Sequence, residues 1–207
     1  YVSSVSALYH GVAENITVDS PPGSAQAAYA RSKIACEVYI RELENRSSSV
    51  YSVYPGGIIG PDAPLLNEPH EAIAIFTGPI APMLGSGGQW IDVRDIAQVL
   101  RLIAEKRPRQ RRFPLGGNIV QWREFSGIIS QFTGNSPVLI QLPGFMMRGI
   151  GRLIDFARRF IPIQSPISYE AMLFATCTPI IDDSLTQEVF NFQFRDSRET
   201  IEDSLRW

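Results

Sequence analysis

The sequence is poor in cysteine, histidine and net charge, and each shortage excludes a class of protein. Two cysteines, Cys36 and Cys177, lie far apart and cannot build a disulfide scaffold or a zinc ribbon. The two histidines, His10 and His70, lack metal-ligand spacing with each other or with the cysteines, so we expect no metal site. Among 207 residues, 19 Lys and Arg oppose 21 Asp and Glu, and this net charge of −2 argues against a nucleic-acid-coating protein. We expect a folded protein of a reducing compartment, the cytoplasm, with no nucleic-acid partner.

Long apolar runs are also missing. The longest uncharged stretches, residues 72–91 and 125–147, are interrupted by prolines and glycines. Neither can form a membrane-spanning helix, which needs about 20 apolar residues. The sequence opens on Tyr1 rather than Met, and we expect it to be an excerpt of a longer protein.

The first 61 residues predict a strand, a long helix and a second strand. Tyr1–Ser4 is typical of the end of a buried strand, and residues 24–45 predict an amphipathic helix with Ser24 as its N-cap. Residues 50–54 predict a short buried strand, which the turn at residues 55–61 ends. This order indicates a parallel α/β unit. The apolar stripe of the helix consists of Ile34, Val38 and Tyr39.

The later residues predict a long loop, four helices and two short strands. Residues 62–89 are rich in proline and glycine, and we expect an irregular loop that covers a substrate. Predicted helices cover residues 92–106 with Asp95 as the cap, 122–132, 145–160 and 197–207, and predicted strands cover 113–115 and 138–142. The helix at 145–160 has an apolar face of Met146, Ile150, Leu153, Ile154 and Ala157. We expect this face to pack against the body of the domain, and contact with a membrane surface is the less favoured alternative.

Tyr29 and Lys33 are four residues apart on the first predicted helix, so their side chains emerge on one face. An unperturbed tyrosine has a pKa near 10, too high for proton exchange at neutral pH, and a neighbouring cation favours the phenolate. The pair therefore indicates a general acid or base at Tyr29. A hydroxyl of Ser3, Ser4 or Ser6, after the first strand, is placed to hold the reacting oxygen.

Four motifs in this order resemble the extended short-chain dehydrogenase/reductases, the NAD-dependent epimerase/dehydratase family. Val2-Ser3-Ser4 is similar to the catalytic serine segment of that family, Tyr29-Ala30-Arg31-Ser32-Lys33 to its Tyr-x-x-x-Lys motif, and residues 54–61 to its turn beside the nicotinamide. Residues 89–97, the fourth motif, resemble the segment that introduces the substrate domain. In addition to these motifs, the tail at residues 182–207 resembles the closing helices of the family. The most similar branch contains the dihydroflavonol reductases and 3β-hydroxysteroid dehydrogenases.

The resemblance implies a role for each matched residue. Tyr29 exchanges a proton with the substrate oxygen, Lys33 assists it and binds the nicotinamide ribose, and Ser4 orients the carbonyl. Ser4 aligns with the second serine of the family's pair, and Ser6 is the reserve. The backbone along the nicotinamide would be that of Pro55, Gly56, Gly57 and Ile58.

The resemblance also implies the fold class and its division into domains. It implies an α/β fold, the C-terminal part of a doubly wound Rossmann-like parallel sheet plus a small mixed α/β substrate domain. Residues 1–61 would belong to the NAD(P)-binding domain, and residues 62–207 would be mostly substrate-binding, with 92–116 returning to the core. The glycine-rich turn that holds the cofactor pyrophosphate is missing, so we expect the cofactor half to precede this sequence.

The leading hypothesis is an NAD- or NADP-dependent oxidoreductase that interconverts a carbonyl and an alcohol on an apolar small molecule. Apolar side chains are candidates for its pocket: Phe145, Met146, Met147 and Phe174. A nucleotide-sugar epimerase or dehydratase is the enzymatic alternative, and an NAD(P)-binding relative without turnover is the non-enzymatic one. We expect this sequence alone to be inactive. For the oligomeric state, a homodimer is left as an open alternative.

Overall fold

The computed structural model describes residues 1–10, 15–25, 27–46, 49–62, 68–163, 165 and 167–206. The chain is divided into two compact units, and each unit is assembled from three separate stretches of sequence. The first unit comprises Tyr1–Ile58, Gln89–Asn118 and Pro179–Arg195. The second comprises Ile59–Gly88, Ile119–Thr178 and Asp196–Trp207.

Parallel strand pairing organises the first unit. Strand β2 (Ser52–Pro55) pairs in parallel with β6 (Arg112–Leu115), with Val53 opposite Phe113. The opening segment lies along the other edge of β2, because Ser3 N donates to Val53 O at 2.8 Å and Val53 N donates to Tyr1 O at 3.0 Å. Helices α1 (Ala28–Asn45) and α3 (Val93–Lys106) belong to this unit. The core includes Val53, Ile91, Ile96, Val99, Ile103, Phe113, Leu115 and Phe190.

A second parallel pair in the first unit joins segments that are far apart in the sequence. Strand β1 (Asn15–Ile16) pairs in parallel with β9 (Ile180–Ile181), and Asp182 N donates to Ile16 O at 2.8 Å. Helix α7 (Ser184–Phe190) follows β9.

A further sheet has the strand order β3 (Gly57–Ile59), β5 (Gly87–Asp92) and β7 (Asn118–Gln121).

The second unit consists mainly of helices. Strand β4 (Ile80–Met83) pairs in parallel with β8 (Val138–Gln141). The helices are α2 (Glu68–Thr77), α4 (Trp122–Thr133), α5 (Gly144–Ala157), α6 (Tyr169–Thr176) and α8 (Ser197–Arg206). The ring of Phe76 on α2 stacks on Trp122 of α4 at a centroid distance of 5.8 Å. Among the described residues, no helix is both long enough and apolar enough to cross a bilayer.

Helix α1 differs from the prediction at its start and in its buried face. It begins at Ala28 with Ala27 at the N-cap, so the predicted cap at Ser24 is wrong. The predicted apolar stripe is wrong too, because Val38 and Tyr39 are exposed and the buried residues of α1 are Ala30 and Glu37. A carboxylate can occupy the buried face because Tyr54 and Arg41 both donate hydrogen bonds to its Oε1.

The helices and strands predicted after residue 89 lie close to their observed ranges, and three other predictions differ from the structure. The N-cap of α3 is Asp92, whose side chain accepts from Arg94 N at 2.8 Å, and the predicted cap Asp95 lies in the first turn. The predicted loop 62–89 contains α2, β4 and the start of β5, while residues 63–67 of it lie outside the described part. The apolar face predicted to pack against the domain body is exposed at Met146, Ile150 and Leu153.

Candidate active site

Tyr29 and Lys33 lie on the first turns of α1, on one face, as the four-residue spacing predicts. Lys33 Nζ lies 5.7 Å from the centroid of the Tyr29 ring. The same ammonium donates to Val2 O at 3.5 Å and lies 6.0 Å from the Tyr1 ring. Tyr29 itself is 58% exposed, so its hydroxyl is open to a substrate. The ammonium therefore bridges the tyrosine and the opening segment.

Ser4 occupies a special backbone position at the end of that opening segment. It has extended backbone, with φ −160° and ψ 153°, and it is the N-cap of a 3-10 turn at Val5–Ala7. Its Oγ accepts a hydrogen bond from Ser6 N at 3.2 Å. Because a hydroxyl has one proton besides its lone pairs, this bond leaves the O–H proton of Ser4 free to donate. Ser3 is buried, whereas Ser4 and Ser6 are half-buried.

The segment Pro55–Ile58 leaves the buried strand β2 and becomes accessible at its glycines. Pro55 is buried, and Gly56, Gly57 and Ile58 are half-buried. Gly56 N donates to Leu115 O at 2.9 Å, which fixes the chain just after β2. A Cβ on Gly57 would lie 2.8 Å from the Trp90 ring, so only glycine lets the backbone approach so closely there.

A buried hydrogen-bond network around Gln89 and Asp183 was not predicted from the sequence. Gln89 Nε2 donates to Ile181 O at 2.9 Å, and Gln89 Oε1 accepts from Ile181 N at 2.8 Å. Asp183 Oδ2 accepts from Gly116 N at 3.1 Å and Gly117 N at 2.9 Å. Burial raises the pKa of Asp183, against hydrogen bonds that favour its carboxylate. The Gly116-Gly117 pair after a predicted strand is the sequence signal that indicates a special turn here.

A second unpredicted hydrogen-bond network, around Glu37, holds α1, the helix that carries Tyr29 and Lys33. Glu37 is fully buried on α1, and its Oε1 accepts from Tyr54 Oη at 2.9 Å and from Arg41 Nε at 2.6 Å. Arg41 Nη2 also donates to Ser20 O at 2.8 Å. Burial, together with the Glu37 carboxylate, raises the pKa of Tyr54 far above its ordinary value. Tyr54 is therefore a neutral structural phenol.

The carboxylates after β5 form ion pairs rather than an open acidic site. Asp92 Oδ2 pairs with Arg94 Nη2 at 2.6 Å. Asp95, nearly fully buried, accepts from Arg195 N at 2.8 Å and lies 3.4 Å from Arg195 Nε. Burial raises the pKa of Asp95, and the arginine acts in the opposite direction. In the part of the chain that the structure describes, no group of three or more His, Cys, Asp and Glu is arranged to hold a metal ion.

The second unit contains a cavity of about 460 Å³. Arg148 from α5 is its cation, and Arg148 Nη1 donates to Thr176 Oγ1 at 2.8 Å and to Cys177 Sγ at 3.4 Å. The other lining residues are Leu84, Gly85, Ser86, Gly144, Phe145, Thr176 and Cys177. Of the four predicted pocket residues, Phe145 lines this cavity, Met146 is exposed, Met147 is buried and Phe174 is half-buried.

The structure thus brings Tyr29 and Lys33 together beside the segment of Ser4. The segment Pro55–Ile58 is held by other contacts, with Leu115 and Trp90. All of these predicted residues belong to the first unit. The neighbouring Cys36 on α1 is exposed.

Comparisons with known proteins found similar structures but no similar sequences. No protein-family model matches the sequence, and no curated protein matches it. The structure of gox2253 has a TM-score of 0.76 at 19% identity, and the match covers 100% of this chain and 64% of that one. WbmG from Bordetella bronchiseptica, solved with NAD and UDP, has a TM-score of 0.68 at 16% identity, covering 100% and 57%. Gre2 from Candida albicans, solved with NADPH, has a TM-score of 0.66 at 17% identity, covering 99% and 62%.

These likenesses establish the fold. The chain spans less than two thirds of the length of each of the three structures. Its mixed α/β architecture, with parallel strand pairs, agrees with theirs. The prediction of a Rossmann-like α/β fold is confirmed, and this chain has that fold.

Proposed function

We propose that this chain carries the catalytic residues of an NAD(P)-dependent oxidoreductase that interconverts a carbonyl and an alcohol on an apolar small molecule. The observation that carries the proposal is the position of Lys33 Nζ, 5.7 Å from the Tyr29 ring and 3.5 Å from Val2 O. The cation lies between the phenol and the segment that ends at Ser4. This is the arrangement that acid–base chemistry at Tyr29 requires.

Each residue of the site has one role in carbonyl reduction. The Tyr29 hydroxyl donates its proton to the substrate oxygen as the alcohol forms, and it takes that proton back in the oxidative direction. The free O–H of Ser4 donates a hydrogen bond to the same oxygen and so orients it. Lys33 stabilises the phenolate that Tyr29 becomes when it has given up its proton.

Partly accessible groups of this chain fit the ribose and nicotinamide of NAD or NADP. Lys33 is half-buried, its hydrogen bond to Val2 O is exposed, and an ammonium has three donors, so it can bind ribose hydroxyls as well. The accessible backbone of Gly56, Gly57 and Ile58 suits a flat ring. When bound, NAD or NADP would supply or accept the hydride. Among similar structures, WbmG was solved with NAD and Gre2 with NADPH.

The proposed division assigns residues 1–61 to the cofactor-binding domain and 62–207 mostly to substrate binding, with 92–116 returning to the core. It is supported by the first unit, which holds Ser4, Tyr29, Lys33 and Pro55–Ile58. We also propose the branch of the dihydroflavonol reductases and 3β-hydroxysteroid dehydrogenases, because the motifs of this sequence resemble that branch most.

A nucleotide-sugar epimerase or dehydratase is the second candidate. It is favoured by the likeness to WbmG, which was solved with UDP, and by a cation in the second-unit cavity, Arg148. The same tyrosine and lysine would serve, because sugar oxidation at a hydroxyl needs the same proton transfer.

The natural protein that contains this chain tests both candidates. Its binding of NAD(H) and NADP(H) is measured by fluorescence, and its turnover is measured on apolar ketones and on nucleotide sugars. We expect cofactor binding and reduction of the ketones. Turnover of nucleotide sugars alone would establish the second candidate, and absence of cofactor binding would contradict both.

A further inference from the structure

The apolar face of helix α5 points to solvent, whereas the apolar face of a surface helix usually points to the protein core. Seven large side chains at residues 145–161 are between 39% and 73% exposed. They form what we call the α5 apolar surface: Phe145, Met146, Ile150, Leu153, Phe156, Phe160 and Ile161. The Phe156 and Phe160 rings contact each other edge to face at 5.3 Å. At 1.5 Å per residue, the helical part from Phe145 to Phe156 is about 17 Å long.

The charged residues of α5 that bind within the protein lie on the opposite face. Arg148 donates to Thr176 Oγ1 at 2.8 Å, at the end of α6. Asp155 Oδ2 accepts from Tyr169 N at 2.8 Å, at the start of α6. Arg158 pairs with Asp155 Oδ1 at 3.0 Å. Polar contacts therefore fix which face of α5 meets α6.

A close approach of the two helices makes this orientation rigid. A Cβ on Gly151 would lie 2.6 Å from Ser168 O and 2.8 Å from Tyr169 Cα, both backbone atoms. Gly151 and Met147 are the buried residues of α5. Rotation of α5 to bury its apolar surface would move this glycine out of the contact and unpair Asp155. The apolar surface is thus held outward.

Positive charge accompanies the α5 apolar surface. Of the four arginines in residues 144–161, Arg148 and the Asp155-paired Arg158 lie on the opposite face, so two positive charges remain at the apolar surface. Arg152 and Arg159 are exposed at the border of the surface, and the Arg152 guanidinium lies 4.4 Å above the Tyr169 ring. An apolar face bordered by arginines is typical of helices that lie in the headgroup region of a membrane.

We propose that the α5 apolar surface docks on an anionic phospholipid bilayer. The phenylalanine, methionine and leucine side chains enter the boundary between headgroups and acyl chains, and Arg152 and Arg159 contact lipid phosphates. Charge complementarity favours this occupant over a second copy of the chain, since a second copy would bring two surfaces together that are each bordered by Arg152 and Arg159. The helix lies on the membrane without crossing it.

Cosedimentation of the natural protein that contains this chain with vesicles tests the proposal. One set of vesicles is phosphatidylcholine, and the other contains phosphatidylglycerol as well. The variant L153S/F156S removes two exposed apolar side chains, and I80S/I119S, at exposed positions of the same unit, is the matched control. Circular dichroism verifies that each variant is folded, and light scattering gives the oligomeric state.

We expect the wild-type chain and I80S/I119S to bind the anionic vesicles. L153S/F156S lowers the partition coefficient by roughly tenfold or more. The variant R152Q/R159Q lowers binding to anionic vesicles by roughly tenfold and leaves binding to phosphatidylcholine unchanged. Absence of vesicle binding by the wild type, or equal binding by L153S/F156S, would overturn the proposal. A dimer that L153S/F156S dissociates, without lipid binding, would assign the surface to a second copy instead.

Discussion

The hydroxyl of Tyr54 donates a 2.9 Å hydrogen bond to Oε1 of Glu37, and both side chains are fully buried. Glu37 lies one helical turn after Lys33 on α1, and Tyr54 immediately precedes Pro55 on β2. This single contact joins the helix of the proposed acid–base pair to the strand that leads into the proposed nicotinamide segment. The position of Tyr29 and Lys33 therefore depends on a buried hydrogen bond from a neutral hydroxyl to a carboxylate.

Replacing Tyr54 with phenylalanine should destabilise the protein at neutral pH. The change removes a hydrogen bond to a buried carboxylate, and bonds to charged groups contribute about 1.5–3 kcal/mol. We expect the free energy of unfolding of Y54F to fall by about 2 kcal/mol, measured by urea unfolding at pH 7. Y39F is the control, because Tyr39 is exposed on the same helix.

The raised pKa of Tyr54 makes stability depend on pH on the alkaline side. The folded protein keeps this phenolic proton where the unfolded chain, with an ordinary pKa near 10, loses it. The contribution of this proton to the free energy of unfolding is therefore fully present below about pH 10. Above that pH the free energy of unfolding declines, by up to about 1.4 kcal/mol per pH unit from this group. Y54F lacks this decline, so its stability curve should be flatter than that of the wild type or Y39F. Parallel curves above pH 10 would show that Tyr54 titrates normally.

Gly117 should tolerate no side chain. Its φ is +75°, and a Cβ there would lie 2.1 Å from Trp90 O and 2.7 Å from Ile91 Cα. We expect G117A to lower the free energy of unfolding by about 3 kcal/mol, from left-handed strain and the backbone clash. Thermal and urea unfolding measure the change.

Gly127 provides the opposite case for comparison with Gly117. It lies inside α4, and a Cβ there would meet no atom within 4 Å apart from its chain neighbours and the backbone of its own helix. G127A should therefore stabilise the protein by about 0.5–1 kcal/mol, since alanine loses less conformational freedom in a helix. Equal effects of G117A and G127A would contradict the account of the turn.

Lys33 should be needed for cofactor binding as well as for turnover. In the natural protein, K33M removes the ammonium that contacts Tyr29 and Val2 O. We expect kcat to fall by about a hundredfold or more and the Kd for NAD(P)H to rise. The chain has one other lysine, Lys106, and K106M is the matched control. If K33M and K106M bind and turn over alike, Lys33 has no part in the site.

Local geometry explains which features could be predicted. The face shared by Tyr29 and Lys33 follows from helical periodicity alone, and the apolar run at residues 50–54 predicts β2 to within two residues at its start and one at its end. The exposed side of α1 could not be predicted, because Tyr54 and Arg41 make Glu37 a buried residue. Hydrophobicity ranks Val38 and Tyr39 as core instead.

Long-range contacts explain what the sequence could not predict. Gln89 and Ile181 are 92 residues apart, and no periodic pattern connects them. Asp92 and Asp95 are both suitable helix caps, and the choice of Asp92 leaves Asp95 to bind Arg195. The outward orientation of the α5 apolar surface depends likewise on Asp155 and Arg148, whose partners are on α6 and at its end.

The most direct test compares Y29F with Y39F in the natural protein that contains this chain. Both tyrosines are exposed and lie on α1. Of the two, Tyr29 is the one whose ring lies beside the Lys33 ammonium. The measurement is kcat for nicotinamide-dependent turnover of the compound that the wild type converts fastest. The proposed mechanism predicts that Y29F lowers kcat by about 10²–10⁴-fold while Y39F leaves it unchanged. Wild-type turnover by Y29F would contradict the assignment of Tyr29 as the catalytic acid and base.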